Sequence, residues 1–366
     1  MNKSIHSGPL NGLKIIEFEG IGPAPLAGQL LSDLGADVIK IKKKSTENIK
    51  EPILDRNKKT ISLDLKNSKD KVIVKKLITK ADVLIEGFRP GVMERLGLGP
   101  KDCERINPKL VFGRITGWGQ DGPYAKKAGH DINYLAVTGA LNAIGYKNSE
   151  PIPPLNLLGD YAGGTMFLIM GILSALWERN TSNKGQVIDA AMIEGVPALM
   201  SLIHTFMAQD NWNYDRSSNL LDGGCPYYKC YKTKDNLYVS VGALENKFFA
   251  ILIEKLELDQ NWIKNQEEKS KWEQLNHEIS AKFLTKTRNE WANIFYNTDA
   301  CVEPVLNFNE VENNSQNQSR NIFLRKNSIL QANIAPKFSR SVSKELQDFN
   351  SESKTIKQIS IDWGID

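Results

Sequence analysis

The sequence predicts an α/β fold in which a large domain with a doubly wound parallel sheet is followed by a smaller α+β domain. Short apolar segments that read as strands alternate with amphipathic helical segments through the first half of the chain. The composition changes after residue 209, where a polar stretch leads into aromatic and β-branched residues. A length of 366 residues is sufficient for two domains, each with its own core.

The chain opens with a β-α-β unit. Residues 13–18 have a strand pattern, residues 24–34 carry apolar side chains at helical spacing, and residues 36–41 have a second strand pattern. Units of this kind build doubly wound sheets, in which ligands bind beyond the carboxyl ends of the strands.

The loop of this unit argues against a nicotinamide cofactor. Residues 20–25 begin like a dinucleotide fingerprint, but Pro25 stands where the third glycine belongs. The second strand runs into Lys42, Lys43 and Lys44 instead of the acidic residue that would hold a ribose. Lysines at this position suit a phosphorylated ribose or a diphosphate.

A second candidate for phosphate binding follows as the alternation continues. The pattern predicts a strand at residues 60–65, a helix at 68–80, and strands at 82–85 and 110–116. The strand at 82–85 leads into a segment that contains Arg89 and Arg95, and two arginines at a strand end can clamp a phosphate. The alternative is a solvated surface helix with two ordinary arginines.

A histidine beside an aspartate precedes a predicted helix. Residues 129–134 read Gly-His-Asp-Ile-Asn-Tyr and follow a run of turn residues at 117–123. The chain has four histidines, and His130 lies among glycines at a helix start, which makes it the first candidate for acid/base chemistry. Asp131 is in an ordinary position for a helix cap.

Two apolar helices are predicted next. Residues 161–177 are too short for a comfortable membrane span and contain glycines, so they read as a buried helix, with a second helix at residues 190–208 beside it. Asp160 stands where the N-cap of the first helix belongs. A carboxylate there also lies near free backbone N–H groups, so the same position can serve chemistry.

The second half of the chain predicts a small domain. Residues 227–231 and 237–241 read as a hairpin, and residues 250–300 read as helical. Glu245 lies where the second hairpin strand passes into a helix. On its own it is an acid favoured by the helix dipole.

Composition excludes several classes of function. A net charge of +4, from 47 basic and 43 acidic residues, is too balanced to predict nucleic acid as a partner. The four cysteines have neither CxxC spacing nor a nearby histidine pair, so we expect no metal site and reduced thiols. Residues 1–11 lack the apolar core of a signal peptide and residues 362–366 carry no peroxisomal signal, which predicts a cytoplasmic protein.

Seven motifs occur along the chain in a fixed order. They are Gly-Ala-Asp-Val-Ile-Lys at 35–40, Phe-Arg-Pro-Gly-Val at 88–92, the histidine motif at 129–134, Leu-Gly-Asp-Tyr-Ala-Gly-Gly at 158–164, Val-Gly-Ala-Leu-Glu at 241–245, Asp-Ala-Cys-Val-Glu-Pro-Val-Leu at 299–306 and Pro-Lys-Phe-Ser-Arg at 336–340. Together they resemble the class III CoA-transferase superfamily, and in particular its racemase branch, over nearly the whole chain.

The resemblance implies a domain organisation. Residues 1–209 would form a Rossmann-like large domain that residues 327–366 complete, residues 210–224 would be a linker, and residues 225–326 would form the small domain. It further implies that two chains interlock as a homodimer, with each site between the large domain of one subunit and the small domain of the other.

The resemblance also implies how the substrate is held. Arg89 and Arg95, together with Lys43 and Lys66, would bind the phosphates and the adenine end of CoA. CoA would enter as part of an acyl-CoA substrate, so no separate cofactor is expected, and neither is a membrane partner. The acyl group would place the protein in lipid metabolism.

The chemistry implied for the racemase branch uses His130, Asp160 and Glu245, with Asp131 and Asn156 in support. These groups would remove the α-proton of a 2-methylacyl-CoA thioester and return a proton to the other face through an enolate, which interconverts the (R) and (S) forms. The alternative is a transferase that moves CoA between carboxylic acids through an aspartyl anhydride at Asp160. A CoA-binding regulatory module without turnover would not require three acid/base residues.

Overall fold

The computed structural model describes residues 8–44, 51–341, 346 and 355–365. The expectations about targeting signals rest in part on residues 1–7 and on residue 366, which lie outside the described residues.

The described strands, in chain order, are β1 (Lys14–Phe18), β2 (Asp37–Lys43), β3 (Lys59–Leu63), β4 (Val83–Glu86), β5 (Val111–Thr116), β6 (Val187–Ala191), β7 (Tyr228–Lys232), β8 (Tyr238–Gly242), β9 (Val302–Pro304), β10 (Phe323–Lys326) and β11 (Ile329–Ala332). The described α-helices are α1 (Pro23–Asp33), α2 (Ser68–Ile78), α3 (Val92–Leu96), α4 (Pro100–Ile106), α5 (Asp131–Val137), α6 (Ala140–Ala143), α7 (Met166–Ser182), α8 (Met192–Leu199), α9 (Ser201–Ala208), α10 (Asn246–Lys255), α11 (Asn261–Lys264), α12 (Trp272–Phe283), α13 (Arg288–Phe295), α14 (Ser315–Ser319) and α15 (Ile356–Trp363). A π-helical segment, Leu157–Thr165, leads directly into α7, and Lys269–Lys271 and Val311–Asn313 form single 3-10 turns.

The chain divides into two compact units. The large unit consists of Met1–Thr138, Pro154–Ser201 and Asn321–Asp366, and the small unit consists of Gly139–Pro153 and Leu202–Arg320. The boundaries expected at 209, 224 and 326 remain predictions of where independent domains begin and end. The small unit contains a short insertion, Gly139–Pro153, that no sequence signal predicted.

The large unit is built on a six-stranded parallel sheet. Its strand order is β3-β2-β1-β4-β5-β6, and all five neighbouring pairs run parallel. The predicted α/β class is therefore confirmed. The order reverses between β1 and β4, which is the position where open sheets of this type bind ligands.

The strands form where the sequence is almost continuously apolar. Ile15, Ile16 and Phe18 of β1 are completely buried, and so are Leu84 and Ile85 of β4. Burial of successive residues means that both faces of the sheet are covered, as expected when crossover helices pack on each side of a parallel sheet.

The C-terminal segment belongs to the large unit through buried polar contacts. The guanidinium of Arg56 donates to the Asp33 carboxylate at 2.6 Å and to Gln331 Oε1 at 2.8 Å, so it links α1 to β11. The indole of Trp363 in α15 donates to Asp37 Oδ2 at 2.9 Å at the start of β2. Trp363 is only 2% exposed.

The two apolar helices predicted for the middle of the chain are both present, but their bounds and continuity differ from the prediction. The helix expected at 190–208 is divided into two short helices, α8 and α9, and its first two residues belong to the end of β6. Pro197 lies inside α8, and a proline in a helix interior removes a backbone hydrogen bond. The helix expected at 161–177 begins as the π-helical segment and continues as α7 to Ser182.

Glycines explain the unusual start of this helix. A Cβ at Gly195 of α8 would lie 1.9 Å from the carbonyl oxygen of Gly163, so the two backbones touch directly. A Cβ at Gly164 would lie 3.1 Å from Met192. The π-helical segment can therefore pack against α8 only because these positions lack side chains.

The run Leu157–Ser182 is long and apolar enough to cross a membrane by length and composition alone. The core helix of a water-soluble protein passes the same test. Leu168, Ile169, Ile172 and Ala175 of α7 are buried in the core of the large unit. The expectation that the protein has no membrane partner remains a prediction.

The small unit has its own core and its own sheet. Strands β7, β8 and β9 form an antiparallel sheet, which confirms the predicted hairpin. Phe283 of α12 is completely buried, stacks on Tyr231 with ring centroids 5.3 Å apart, and meets the edge of Trp291 at 5.2 Å. Aromatic pairs of this geometry contribute to stability beyond the area that they bury.

Candidate active site

A cavity of about 690 Å³ opens in the large unit at the carboxyl ends of β1, β4 and β5. Its described walls come mainly from residues in four segments, 19–24 after β1, 87–90 after β4, 115–118 at the end of β5 and 125–130 before α5, together with Tyr134, Asp160 and Met192. The position is the reversal point of the strand order, and the volume suits a small-molecule ligand.

Asp160 reaches this cavity from the π-helical segment. The predicted N-cap role is wrong, because the residue lies inside the segment, six residues before α7 begins. Its carboxylate lies against the loop after β1, where a Cβ at Gly22 would be 3.0 Å from Asp160 Oδ2. The hydroxyl of Thr165 donates to the carbonyl oxygen of Pro23 at 2.9 Å and ties the segment to the start of α1.

Asp131 has a different role from the predicted helix cap. The N-cap of α5 is His130, and Asp131 is the first helical residue. Its Oδ1 accepts the backbone N–H of Asp160 at 2.6 Å, while its Oδ2 is buried with no hydrogen-bond partner among the described residues. A Cβ at Gly159 would lie 2.5 Å from the same Oδ1. The carboxylate of Asp131 therefore fixes the backbone that carries Asp160.

The two aspartates influence each other electrostatically. Burial raises the pKa of Asp160, and the neighbouring charge of Asp131 raises it further. The Asn156 amide, which donates to Asp160 Oδ2 at 3.5 Å, and the nearby His130 act in the opposite direction. Burial also raises the pKa of Asp131. A carboxyl group with a raised pKa retains its proton to higher pH, which suits an acid/base residue.

His130 lies exposed on the cavity wall at the start of α5. Its backbone N–H donates to Asn133 Oδ1 at 3.0 Å, which anchors the first turn. Tyr134 packs edge-on against Trp118 with ring centroids 4.8 Å apart, and its hydroxyl donates to the carbonyl oxygen of Gly129. This aromatic pair holds the backbone on the N-terminal side of the histidine, and both rings line the cavity.

The predicted CoA-binding cations are divided between two locations. Arg89 lines the cavity, whereas Arg95, Lys43 and Lys66 are exposed side chains that are not among its described walls. Lys127, which no sequence signal had singled out, lines the cavity with its ammonium group 3.7 Å from the ring centroid of Tyr124.

Two further lysines of the wall are engaged in ion pairs. Lys40 pairs with Asp55 at 2.6 Å, and Lys42 pairs with the same carboxylate at 3.2 Å. Lys40 is only 1% exposed. The positive charges of these two lysines at the end of β2 are therefore partly neutralised by Asp55.

Glu245 lies in the small unit. It is the N-cap residue of α10, follows β8, and has an exposed side chain. The backbone N–H groups of Phe248 and Phe249 both donate to its carbonyl oxygen at 2.9 Å, so its backbone is fixed while its carboxylate faces solvent. Its role with His130 and Asp160 remains a prediction.

Comparison with known proteins gives concordant results. The family model described as CoA-transferase family III matches residues 10–345. Alpha-methylacyl-CoA racemases from Mus musculus and Homo sapiens are 41% and 40% identical to this chain, each over 86% of this chain and 82% of its own length. The crystal structure of a CaiB/BaiF family protein from Brucella suis is 22% identical, with a TM-score of 0.78 over 98% of this chain and 100% of that one, and shows the same fold.

Proposed function

From the premise that this chain belongs to CoA-transferase family III, we propose that it is an isomerase that interconverts (R)- and (S)-2-methylacyl-CoA thioesters. The observation that carries the proposal is that His130 and Asp160 line one cavity of the large unit. The identity of 40% or more to alpha-methylacyl-CoA racemases supports the same choice.

The reaction requires two proton carriers, one for each face of the α-carbon. In one direction His130 takes the α-proton while Asp160, in its protonated form, supplies a proton to the opposite face. In the reverse direction the two groups exchange roles. The raised pKa of Asp160 fits this use, because the carboxyl group must spend part of each cycle protonated near neutral pH.

The CoA moiety is proposed to lie over the carboxyl ends of β1 and β4. Arg89 contributes positive charge to the cavity wall there, and we propose that Arg95, Lys43 and Lys66 extend this charge along the exposed surface toward the phosphates. CoA is then part of the substrate, and the proposed reaction needs neither a further cofactor nor a metal ion. We also propose a cytoplasmic location and a role in lipid metabolism.

We propose that two chains form a homodimer, and that Glu245 acts in the active site of the second copy. Helix α7 supports this proposal, because Met166, Met170, Leu173 and Trp177 form one stripe along it with exposures of 51%, 56%, 37% and 80%. A row of large apolar side chains at helical spacing on an exposed face is typical of an interface. Met170→Glu should convert the protein to a monomer in sedimentation velocity, and an unchanged dimer would count against this interface.

The reaction is tested by hydrogen exchange at the α-carbon. A single enantiomer of a 2-methylacyl-CoA is incubated with the protein in deuterated water, without any acid acceptor, while deuterium incorporation and optical rotation are followed. We expect both to proceed in the wild type and to be abolished in His130→Ala and Asp160→Asn. Full exchange in both variants would refute the assignment.

The same assay separates racemisation from CoA transfer. A transferase would need a free carboxylic acid as acceptor, and hydroxylamine would trap an acyl-enzyme at Asp160. Turnover only in the presence of an acceptor, together with a trapped adduct, would replace the racemase proposal with the transferase.

A further inference from the structure

The loop that follows β4 is held at both ends by one buried arginine. Arg114 lies on β5 and donates from Nε to Glu86 Oε1 at 2.7 Å, at the end of β4. The other nitrogens of the same guanidinium donate to the carboxylate of Glu94 in α3, at 2.8 and 3.3 Å. Arg89 lies between these two glutamates in the chain, and Arg95 follows the second directly.

The first of these contacts also sets the course of the loop. Oε2 of Glu86 accepts the backbone N–H of Phe88 at 2.7 Å, which is the residue immediately before Arg89. Glu86 is completely buried and Arg114 is 6% exposed. One oxygen of the Glu86 carboxylate therefore fixes the direction in which the chain leaves β4, while the other oxygen accepts from Arg114.

The far end of the loop is packed closely. A Cβ at Gly99 would lie 2.9 Å from Cγ and 3.0 Å from Cα of Glu94, so the backbone at Gly99 packs directly against α3. Gly91 adopts a left-handed conformation with φ of 85°, and a Cβ there would lie 3.3 Å from a guanidinium nitrogen of Arg95. The side chain of Arg95 is therefore folded back over its own loop.

Stability alone is a weak explanation for this arrangement. Burial of an ion pair costs desolvation free energy that can equal or exceed the attraction between the charges, and apolar residues of similar size often stabilise a fold as well. Apolar residues, however, have no directional hydrogen bonds. The planar guanidinium, with its five N–H donors, fixes the positions of two separate chain segments relative to each other. This loop carries Arg89 on the cavity wall and Arg95 as an exposed side chain that is not among the described wall residues.

We propose that Arg114 is a positioning residue for CoA, which holds the loop of residues 86–97 in the shape that presents Arg89 and Arg95 to the phosphate groups. The inference rests on the proposed function, because it concerns the CoA end of the same substrate. It assigns Arg114 no contact with the substrate and no role in proton transfer. Loss of the fork should therefore weaken the binding of the phosphate-bearing half of the substrate and leave the chemical step unaffected.

Both variants weaken the fork while a cation remains at position 114. Arg114→Lys keeps a cation but cannot hold both glutamates with parallel N–H donors. Glu94→Gln leaves the buried contact with Glu86 intact and weakens only the link to α3, so it remains informative if Arg114→Lys fails to fold. The matched control is Arg179→Lys, because Arg179 pairs with Asp82 at 2.9 Å, beside the amino end of β4 and away from the cavity.

The measurements compare CoA with pantetheine, which lacks all phosphate groups. Direct binding of each compound is measured by titration calorimetry, and KM and kcat are measured for the same acyl group carried on each. We expect Arg114→Lys and Glu94→Gln to raise Kd and KM about tenfold for the CoA compounds, with unchanged kcat and unchanged values for the pantetheine compounds. Arg179→Lys should resemble the wild type in both series.

Two results would overturn the proposal. One is an unchanged Kd for CoA in both fork variants, and the other is an equal proportional loss for CoA and pantetheine, which would indicate general distortion of the cavity. Because the calorimetry does not depend on turnover, a wild type that binds CoA through this loop but exchanges no α-hydrogen would contradict the racemase proposal alone.

Discussion

A methyl group added at Gly195 should reduce the rate of catalysis far more than it reduces the stability of the fold. Gly195→Ala would place a Cβ 1.9 Å from the carbonyl oxygen of Gly163, roughly 1.5 Å short of an ordinary van der Waals contact. Because the opposing atoms are backbone, a rotamer change cannot relieve the overlap. Helix α8 and the π-helical segment must move apart, and Asp160 moves with that segment.

The size of the effect follows from this displacement. Overpacking of a core contact costs about 1–3 kcal/mol of the free energy of unfolding, and each kcal/mol lowers the Tm of a unit of this size by roughly 2–4 °C. A catalytic group displaced by about 1 Å costs on the order of a hundredfold in rate. We therefore expect kcat for α-hydrogen exchange to fall about a hundredfold while the KM for the CoA substrate changes little.

A control variant isolates the catalytic component. Gly171→Ala in α7 places a Cβ 2.8 Å from Cγ2 of Ile188, so it overpacks the same unit against a side chain that can shift. Thermal unfolding by circular dichroism gives the stability of each variant, and deuterium incorporation gives kcat. If Gly195→Ala retained the kcat of Gly171→Ala at a matched loss of Tm, the proposed role of the close backbone contact would be wrong.

Three further predictions concern charge and packing. In Asp131→Asn a charge that raises the pKa of Asp160 is lost, so the inflection assigned to Asp160 in the pH–rate profile of exchange should move to lower pH; an unmoved inflection would contradict the coupling. In Gly28→Ala the new Cβ would overlap the completely buried carboxylate of Glu17, so soluble, folded protein should be lost, as judged by circular dichroism, and a normal Tm would refute the contact. Phe283→Ala should destabilise the small unit by about 3–5 kcal/mol in urea unfolding monitored by tryptophan fluorescence, with a loss below 1 kcal/mol as the contrary result.

The sequence was sufficient to predict those strands and helices whose residue pattern is compatible with only one kind of structure. The apolar runs of β1 and β4 can only be buried strands in an alternating chain, and both formed within one residue of the predicted bounds. The hairpin of β7 and β8 followed from aromatic and β-branched residues in the same way. His130 was identified as a site candidate because glycines surround it, and it lies on the wall of the cavity.

Sequence reasoning failed where one pattern fits two structures. Apolar spacing does not distinguish a π-helical turn from an α-helical one, so the helix was predicted to begin at residue 161, four residues after the π-helical segment begins, and Asp160 was taken as its N-cap. The strand β6 has only five residues and runs directly into α8, so it was not predicted, and its last two residues, Ala190 and Ala191, were read as the start of a helix. The first error is resolved by the course of the π-helical segment, and the second by the pairing of β6 with β5.

The buried fork of Arg114 was missed although a signal existed. An arginine within an otherwise apolar strand is rarely buried unless it is paired. The acid at the end of the neighbouring strand, Glu86, was its natural partner. The strand register gives Glu86 and Arg114 as direct neighbours, information that the sequence alone does not contain.

The course of β5 constrains how this enzyme scaffold can be redesigned. Within five consecutive positions the chain passes from Arg114, which braces the loop that carries Arg89, to Ile115, Thr116, Gly117 and Trp118 on the cavity wall. Under the proposed function, substitutions that widen the cavity along this strand would therefore also disturb the proposed binding of the CoA phosphates. Libraries that aim to change acyl-chain preference under the proposed function are better placed at Ala125, on a wall segment that does not carry the brace.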